Sequence, residues 1–285
     1  MRLKSAEFYN NEFLKIRNEL STAINKCFGN LSKYAYFSGT FAYGGAKKKK
    51  SDIDITIVFK NAVYLLKKDK FINNLKEFIK KYENIHKKYN YCLDKVFSGE
   101  YVTVSQIEDA IKGRGFSVNK KGHLYLPLAS NRYYLKNREH WFRAWLSSIA
   151  FSVPVNKGPG LSVSNKINAW QTIILFILAT TKTDNLDANS ILVFLLNNSN
   201  KWAGMGITKH YIFFKEMEAK VVEKALKSLQ SKGFLVVRNG MYKKVKNKLY
   251  EWEKEISKSI LSGKVKRSPF LFDREDIKLL QKQSG

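Results

Sequence analysis

The sequence predicts an α+β fold, in which a mixed β-sheet with packed helices is followed by a mainly helical second part. Three patterns indicate this. Apolar side chains recur at helical spacing from Phe8 to Phe28, and apolar and polar residues alternate from Ser51 to Phe59, as they do along a strand with one buried face. Further on, two short apolar runs flank Asn239-Gly240, a dipeptide that favours a two-residue hairpin turn.

The length and composition of the chain predict two domains. At 285 residues the chain exceeds one typical domain, and its 44% of apolar residues is enough to fill two cores. We expect the α+β domain at residues 1–130 and the helical domain at residues 131–285. Val153–Ser164 contains two prolines and two glycines and is predicted to be a linker loop.

The chain is strongly basic. Lys and Arg total 51 against 24 Asp and Glu, which leaves a formal net charge of +27. A charge of this size attracts acidic polymers, so nucleic acid is the expected partner. An AT-rich genome would explain the preference for Lys over Arg, but it does not explain why acidic residues are outnumbered two to one.

The sequence lacks the patterns of exported, disulfide-bonded or zinc-binding proteins. Its two cysteines and four histidines form no cluster with metal-ligand spacing. The first residues have the pattern of an amphipathic helix rather than a signal peptide, and the most apolar run, residues 173–179, is shorter than the ~20 residues that cross a bilayer. We therefore expect a cytoplasmic protein with no membrane association.

Asp52 and Asp54 are the most informative residues in the sequence. In an extended strand both emerge on one side, while Ile53, Ile55 and Ile57 emerge on the other. Carboxylates this close repel each other and resist burial unless a cation lies between them, and Mg²⁺ prefers one or two carboxylates together with substrate phosphates. The pair is predicted to bind a divalent metal, and the alternative is two solvated carboxylates on a surface strand.

A phosphate-binding turn is predicted just upstream of this strand. The apolar run that ends at Phe37 is followed by Ser38, Gly39 and Thr40. Glycine permits a tight turn and a close approach of the backbone. We expect the N–H groups of this turn and the Thr40 hydroxyl to bind phosphate oxygens.

Together these residues resemble the signature of the polymerase-beta-type nucleotidyltransferase superfamily. That signature is an apolar residue, Gly, then Gly or Ser, a short spacer, and Asp-apolar-Asp or Glu. Here Gly39-Thr40 is followed by the eleven residues Phe41–Ser51 and by Asp52-Ile53-Asp54. Thr40 departs from the usual residue but keeps the hydroxyl of serine. The resemblance covers roughly residues 8–119.

The resemblance implies a third acidic residue on a neighbouring strand. Asp94, in the apolar run Tyr91–Phe97, is the position that resembles it, and Glu100 is the alternative. Asp94 could instead pair with Lys95 or cap a turn.

The resemblance also implies an enzyme of the EC 2.7.7 type, which transfers a nucleotidyl group. Asp52, Asp54 and Asp94 would be the catalytic and metal-binding residues and would hold two Mg²⁺ ions, for which Mn²⁺ could substitute. An NTP, with ATP the expected one, would contact Gly39, Thr40 and Ser51.

Two sets of basic residues are candidate nucleic-acid contacts. The first is the exposed run Lys47, Lys48, Lys49 and Lys50 between the predicted turn and the metal strand, which is otherwise a solvated charge run. The second lies in a helix and hairpin that resemble a winged-helix module at about residues 186–246. This module could equally serve dimerisation or packing, and its candidate residues are Lys224, Lys227, Arg238, Lys243 and Lys244.

Three hypotheses remain for the function. The first is transfer of NMP to a nucleic acid, with an RNA 3′ end as acceptor, as in the CCA-adding enzymes and poly(A) polymerases of this superfamily. The second keeps the enzyme but changes the acceptor to a small molecule of the aminoglycoside type or to a protein. The third is a nucleic-acid-binding protein with a vestigial site, against which the intact Asp52 and Asp54 argue.

Overall fold

The structure, a computed structural model, describes residues 11–42, 46–60, 69–93, 99–113, 116–125, 146, 148–155, 163–197 and 215–262. The chain groups into two compact units: the first comprises Met1–Ile107, Ser152–Ser162 and Ser268–Gly285, and the second comprises Glu108–Phe151 and Val163–Arg267. The predicted domain boundary near residue 130 falls outside the described residues.

The described helices and strands alternate in the first unit, whereas helices predominate in the second. The helices are α1 Asn11–Phe28, α2 Gly39–Ala42, α3 Asp69–Tyr89, α4 Val104–Ile111, α5 Val163–Thr180, α6 Ala188–Asn197, α7 Lys215–Ser231 and α8 Lys246–Leu261. The strands are β1 Ser32–Phe37, β2 Ile55–Phe59, β3 Glu100–Thr103, β4 Ser117–Val118, β5 Leu124–Tyr125, β6 Val153–Pro154, β7 Asn185–Leu186, β8 Leu235–Arg238 and β9 Met241–Lys244.

The first unit contains a mixed four-stranded sheet in the order β3-β2-β1-β6. Strand β1 is antiparallel to both β2 and β6, whereas β2 and β3 run parallel. A parallel pair needs a long crossover connection, and α3 lies in the connection between β2 and β3. The predicted α+β class with a mixed sheet is therefore confirmed for this unit.

One edge of this sheet corrects the sequence analysis. Val153 and Pro154, expected in a linker loop, pair with Phe37 and Tyr36 of β1, and the Val155 N–H donates to the Ala35 carbonyl at 3.0 Å. Proline cannot donate to a ladder and so is tolerated at an edge strand. The pairing joins residues more than a hundred positions apart, which no local pattern in the sequence reports.

The core of the first unit is rich in aromatic rings. Phe28, the last residue of α1, lies with its ring centroid 5.1–5.8 Å from those of Phe59, Phe71 and Phe78. These rings come from α1, β2 and α3, so they join both helices to the sheet. The helix ends where the sequence predicts, because Gly29 follows with a positive φ of 46°.

The second unit is built around α5, whose residues from Ala169 to Leu178 are all buried. Helix α7 is its principal neighbour. A small antiparallel sheet in the order β7-β9-β8 completes this part, and its turn residues Asn239 and Gly240 have φ values of 52° and 74°. These values are those of a type I′ turn, so the predicted hairpin is confirmed. No helix within the described residues is both long and apolar enough to cross a membrane.

Candidate active site

The segment that carries the paired aspartates immediately precedes β2. The sequence predicts a strand from Ser51, but β2 begins at Ile55. The reason is that β1, its partner, ends at Phe37, after which the chain turns away. The alternation nevertheless persists, since Ile53 is fully buried while Asp52 and Asp54 are partly exposed. The two carboxylates therefore belong to an extended segment outside the sheet ladder.

The turn predicted at Gly39 directly faces one of these carboxylates. Gly39 has a φ of 64°, and a Cβ atom built on it would lie 1.8 Å from Oδ2 of Asp54. The backbone at Ser38 is also tied to this residue, because its N–H donates to the Asp54 carbonyl at 3.1 Å. Only glycine leaves room for the carboxylate at this position.

The turn is anchored by an aromatic cluster. Phe41, on α2, is buried, and its ring lies 5.1 Å from that of Phe37 and 5.2 Å from that of Phe13. Thr40 precedes it and is partly exposed. The packing of Phe41 thus holds the Gly39-Thr40 turn against the sheet.

The electrostatics of the aspartate pair fit a divalent metal. Burial raises the pKa of the Asp52 carboxyl, and a hydrogen bond from its own backbone N–H opposes this rise. A cation beside such a group favours its ionised form. Since Asp54 is two residues away on the same side, the two carboxylates are a donor set that a hard divalent cation prefers.

The third carboxylate stays a prediction. Asp94 lies outside the described residues. Glu100, the alternative, is the first residue of β3, stands in register with Thr56, and accepts a hydrogen bond of 2.7 Å from the Thr56 hydroxyl. Among the residues that the structure describes, no three His, Cys, Asp or Glu side chains lie close enough to hold a metal, so Glu100 does not complete such a cluster with Asp52 and Asp54.

The lysine run forms a compact turn. The Lys47 N–H donates to the Ser51 hydroxyl at 3.0 Å, and the Ser51 N–H donates back to the Lys47 carbonyl at 2.8 Å. Lys48 pairs with Glu12 of α1 at 2.6 Å. Lys49 has a φ of 60°. All four lysines are exposed, although Lys48 is paired with Glu12. The Ser51 hydroxyl, which is predicted to contact the nucleotide, accepts a hydrogen bond within the turn.

Two residues that the sequence analysis missed hold the peptide between the aspartates. The Ile53 N–H donates to Nε2 of His86 at 3.1 Å, and the Tyr82 hydroxyl donates to the Ile53 carbonyl at 2.6 Å. Both side chains come from α3, which ends at Tyr89. The available signal was that Phe78, Tyr82 and His86 recur at four-residue spacing on the apolar side of this helix.

The predicted basic contacts of the second unit differ in accessibility. Lys224 and Lys227 on α7 and Arg238 on β8 are exposed, whereas Lys243 is partly exposed. Lys244 is less accessible than Lys224 and Lys227, because only 13% of its side chain is exposed and its ammonium lies 3.1 Å from Asp184. The ammonium also lies 3.4 Å from two carbonyls near the end of α5. Its contact with phosphate stays a prediction.

A comparison with protein-family models agrees with the geometry of the first unit. Residues 15–112 match the model of the nucleotidyltransferase domain. This match contains the Gly39 turn, the aspartate pair and all of α3. Neither a search of curated proteins nor a search of solved structures found a match to the chain.

Nucleotidyltransferase domains of the polymerase-beta type transfer NMP from an NTP and generally use divalent metals. The glycine turn that abuts Asp54 and the partly buried carboxylate pair are consistent with this activity. Residues 15–112 are therefore a nucleotidyltransferase domain of the polymerase-beta superfamily, of the EC 2.7.7 enzyme type.

Proposed function

We propose that this enzyme transfers NMP from an NTP, with ATP the expected nucleotide, to the 3′ hydroxyl of an RNA. The observation that carries the transfer chemistry is the contact of the Asp54 carboxylate with the Gly39 turn, beside Asp52. The observation that favours a nucleic-acid acceptor is the exposed basic surface of the second unit, in a chain of net charge +27.

Asp52 and Asp54, together with Asp94, would hold two Mg²⁺ ions, and Mn²⁺ would substitute for them. Bound metal would supply the positive charge that lowers the pKa of the acceptor hydroxyl and stabilises the departing pyrophosphate. The acceptor oxygen bonds to the α-phosphorus as the bond to pyrophosphate breaks. Gly39 lets the turn approach the Asp54 carboxylate, and the Thr40 hydroxyl would hold a phosphate oxygen.

Replacement of the aspartates tests this assignment. Asp52→Asn and Asp54→Asn keep the size of the side chain and remove its charge, so each should abolish metal-dependent pyrophosphate release while the far-ultraviolet circular dichroism stays unchanged. Retained turnover in either folded variant would refute the metal-binding role. Asp69→Asn is the contrasting variant, because it makes the same chemical change at an exposed position of α3, and its activity should stay close to wild type.

The acceptor proposal depends on the outer face of the small sheet. Helix α7 is followed by the hairpin β8–β9, and we propose that the two act as a winged-helix-like module. Alternation along the strands places Val236, Arg238 and Lys243 on one face, since Val236 and Lys243 stand in register. Tyr242 and Lys244 point to the opposite, buried side. Thus Arg238 and Lys243 form a basic pair on an exposed face.

Helix α7 supports the same proposal. Lys220, Lys224 and Lys227 are spaced by four and three residues and are all exposed, so they lie along one side of the helix. Lys227 is 3.9 Å from Glu223, which is a weak surface pair. A phosphate backbone can displace such a contact, because exposed pairs are screened by water and salt.

Charge reversal at the exposed pair tests RNA binding. The double variant Arg238→Glu/Lys243→Glu should weaken binding of a single-stranded RNA and reduce the slope of log affinity against log salt by about two, one for each lost phosphate contact. Lys70→Glu/Lys80→Glu on α3 makes the same charge change at exposed positions of the first unit and should leave the slope close to wild type. Equal effects of the two double variants would refute a specific basic face.

The acceptor itself is identified by labelling. The enzyme is incubated with each labelled NTP, Mg²⁺ and total cellular RNA, with and without ribonuclease. Label that is lost on ribonuclease treatment supports an RNA acceptor. Label on a small molecule or on a protein would refute it and identify the acceptor class instead.

A further inference from the structure

We infer that Tyr82 and His86 are positioning residues, which hold the Ile53 backbone so that the Asp52 and Asp54 carboxylates face the metal site together. This inference rests on the proposed metal-binding role of the two aspartates. Tyr82 and His86 act through the backbone between the two proposed ligands.

The need for such a support follows from the position of the aspartates outside the sheet. Strand β2 begins at Ile55, and the Asp54 carbonyl still accepts from the Ser38 N–H, but the Ile53 peptide groups lie outside the ladder with β1. A buried N–H or C=O group without a partner destabilises a fold by about 1–3 kcal/mol, so side chains or water must replace the ladder. Ile53 is fully buried, so its peptide groups depend on side chains.

Helix α3 satisfies both groups of this residue. His86 accepts the hydrogen bond of the Ile53 N–H at 3.1 Å, and Tyr82 donates to the Ile53 carbonyl at 2.6 Å. Tyr82 is 1% exposed and His86 is not exposed at all. Water therefore has no access through which it could take over either role.

The two hydrogen bonds act on two different peptide planes. The Ile53 N–H belongs to the plane that joins Ile53 to Asp52, and the Ile53 carbonyl belongs to the plane that joins it to Asp54. Each plane contains the Cα atom of an aspartate. Fixing both planes restricts the directions in which the two Cα–Cβ bonds point, and hence where the two carboxylates lie relative to each other.

The histidine is held in the tautomer that this role requires. Its Nδ1 lies 2.9 Å from the Tyr82 carbonyl, which can only accept a hydrogen bond, so Nδ1 carries the hydrogen and Nε2 is free to accept from Ile53. The Tyr82 and His86 rings also lie with their centroids 4.2 Å apart. The pair thus forms one rigid unit on successive turns of α3.

The experiment compares Tyr82→Phe with Tyr34→Phe in the full chain. Both changes remove one hydroxyl from a buried tyrosine of the first unit, but the Tyr82 hydroxyl donates to the Ile53 carbonyl, whereas Tyr34 lies on β1 opposite Val58. Binding of Mn²⁺ alone is followed by electron paramagnetic resonance, together with the melting temperature and the kcat and KM of pyrophosphate release.

We expect Tyr82→Phe to weaken Mn²⁺ binding and to lower kcat by about ten- to a hundredfold, the range found when partners of metal ligands are removed. KM for the NTP should change less than kcat. Tyr34→Phe should keep both values within about threefold of wild type. If Tyr82→Phe loses melting temperature but binds Mn²⁺ as wild type does, the positioning role is refuted.

Variants of His86 give an independent test. His86→Gln retains an acceptor near the position of Nε2, so it should restore most of the Mn²⁺ affinity that His86→Leu loses. Should His86→Leu fail to fold, the Tyr82 comparison decides. If the wild-type chain does not bind Mn²⁺, or if Asp54→Asn binds it as tightly as wild type, the proposed function fails and this inference fails with it. If the wild type binds Mn²⁺ and the variants match it, only this inference is overturned.

Discussion

Gly39→Ala is the substitution whose consequence the structure defines most sharply. The Cβ of alanine would lie 1.8 Å from Oδ2 of Asp54, whereas ordinary contacts begin near 3.4 Å. The carboxylate or the turn must therefore move by about 1.6 Å. Because Asp54 is one of the two proposed metal ligands, this displacement acts directly on the catalytic centre.

Two separate effects set the expected magnitude. Gly39 has a φ of 64°, and a left-handed backbone destabilises an alanine by about 1–2 kcal/mol. For a domain of this size that corresponds to a fall in melting temperature of roughly 3–10 °C. Misplacement of a catalytic group by about 1 Å reduces the rate by about a hundredfold. We therefore expect a folded protein whose kcat/KM for pyrophosphate release is lower by at least about a hundredfold.

Gly29→Ala is the matched control for this substitution. Gly29 also has a positive φ, 46°, but a Cβ atom built on it would meet no atom within 4 Å. It should lose a similar amount of melting temperature and keep its activity. Thermal unfolding of both variants reports the backbone strain, and pyrophosphate release reports the displacement of the Asp54 carboxylate. Comparable activity in the two variants would refute the argument that Gly39 makes room for Asp54.

Further predictions concern pH and packing. Burial lowers the pKa of His86 below its usual 6.5, so between the folded and the unfolded pKa the unfolded chain binds a proton that the folded chain does not. The contribution of His86 to the free energy of unfolding is therefore fully present above pH 6.5 and is lost as the pH falls through the folded pKa. The melting temperature should show this fall, and His86→Gln should lessen it. Glu218→Ala removes the buried carboxylate that lies 2.7 Å from the Lys166 ammonium and accepts from the buried Trp170 indole N–H at 3.1 Å, and should destabilise the second unit by about 3 kcal/mol in urea unfolding. Glu218→Gln with Lys166→Met keeps an acceptor for Trp170 and should recover most of this loss. Phe28→Ala removes a ring that packs against Phe59 and should lower the free energy of unfolding by about 3–5 kcal/mol.

The elements that the sequence predicted well depend on local interactions. Helix α1 follows from the spacing of Phe13, Ile16, Leu20 and Ile24, all buried as expected. The hairpin follows from Asn239-Gly240, whose backbone suits a type I′ turn. Neither conclusion needs a distant residue, because the apolar period of a helix and the φ preferences of a turn are properties of neighbouring residues.

The features that it predicted poorly depend on distant partners. Strand β2 starts at Ile55 because β1 ends at Phe37. The alternation from Ser51 onward gives no indication of where β1 ends. Alternation along β9 places Lys243 and Lys244 on opposite faces. Only the packing of Tyr242 against the unit, with the nearby Asp184, shows which of the two lysines is buried.

The residues that suit the proposed chemistry can be identified in the sequence: a glycine that permits a left-handed turn, and two carboxylates that alternation places on one side of an extended segment. How that segment is supported depends on the tertiary structure. Its ladder partner ends too early, so Tyr82 and His86, some thirty residues away, replace the missing backbone hydrogen bonds. These hydrogen bonds form only when α3 packs against the segment, because a hydrogen bond between distant residues produces no periodic pattern in the sequence of either partner.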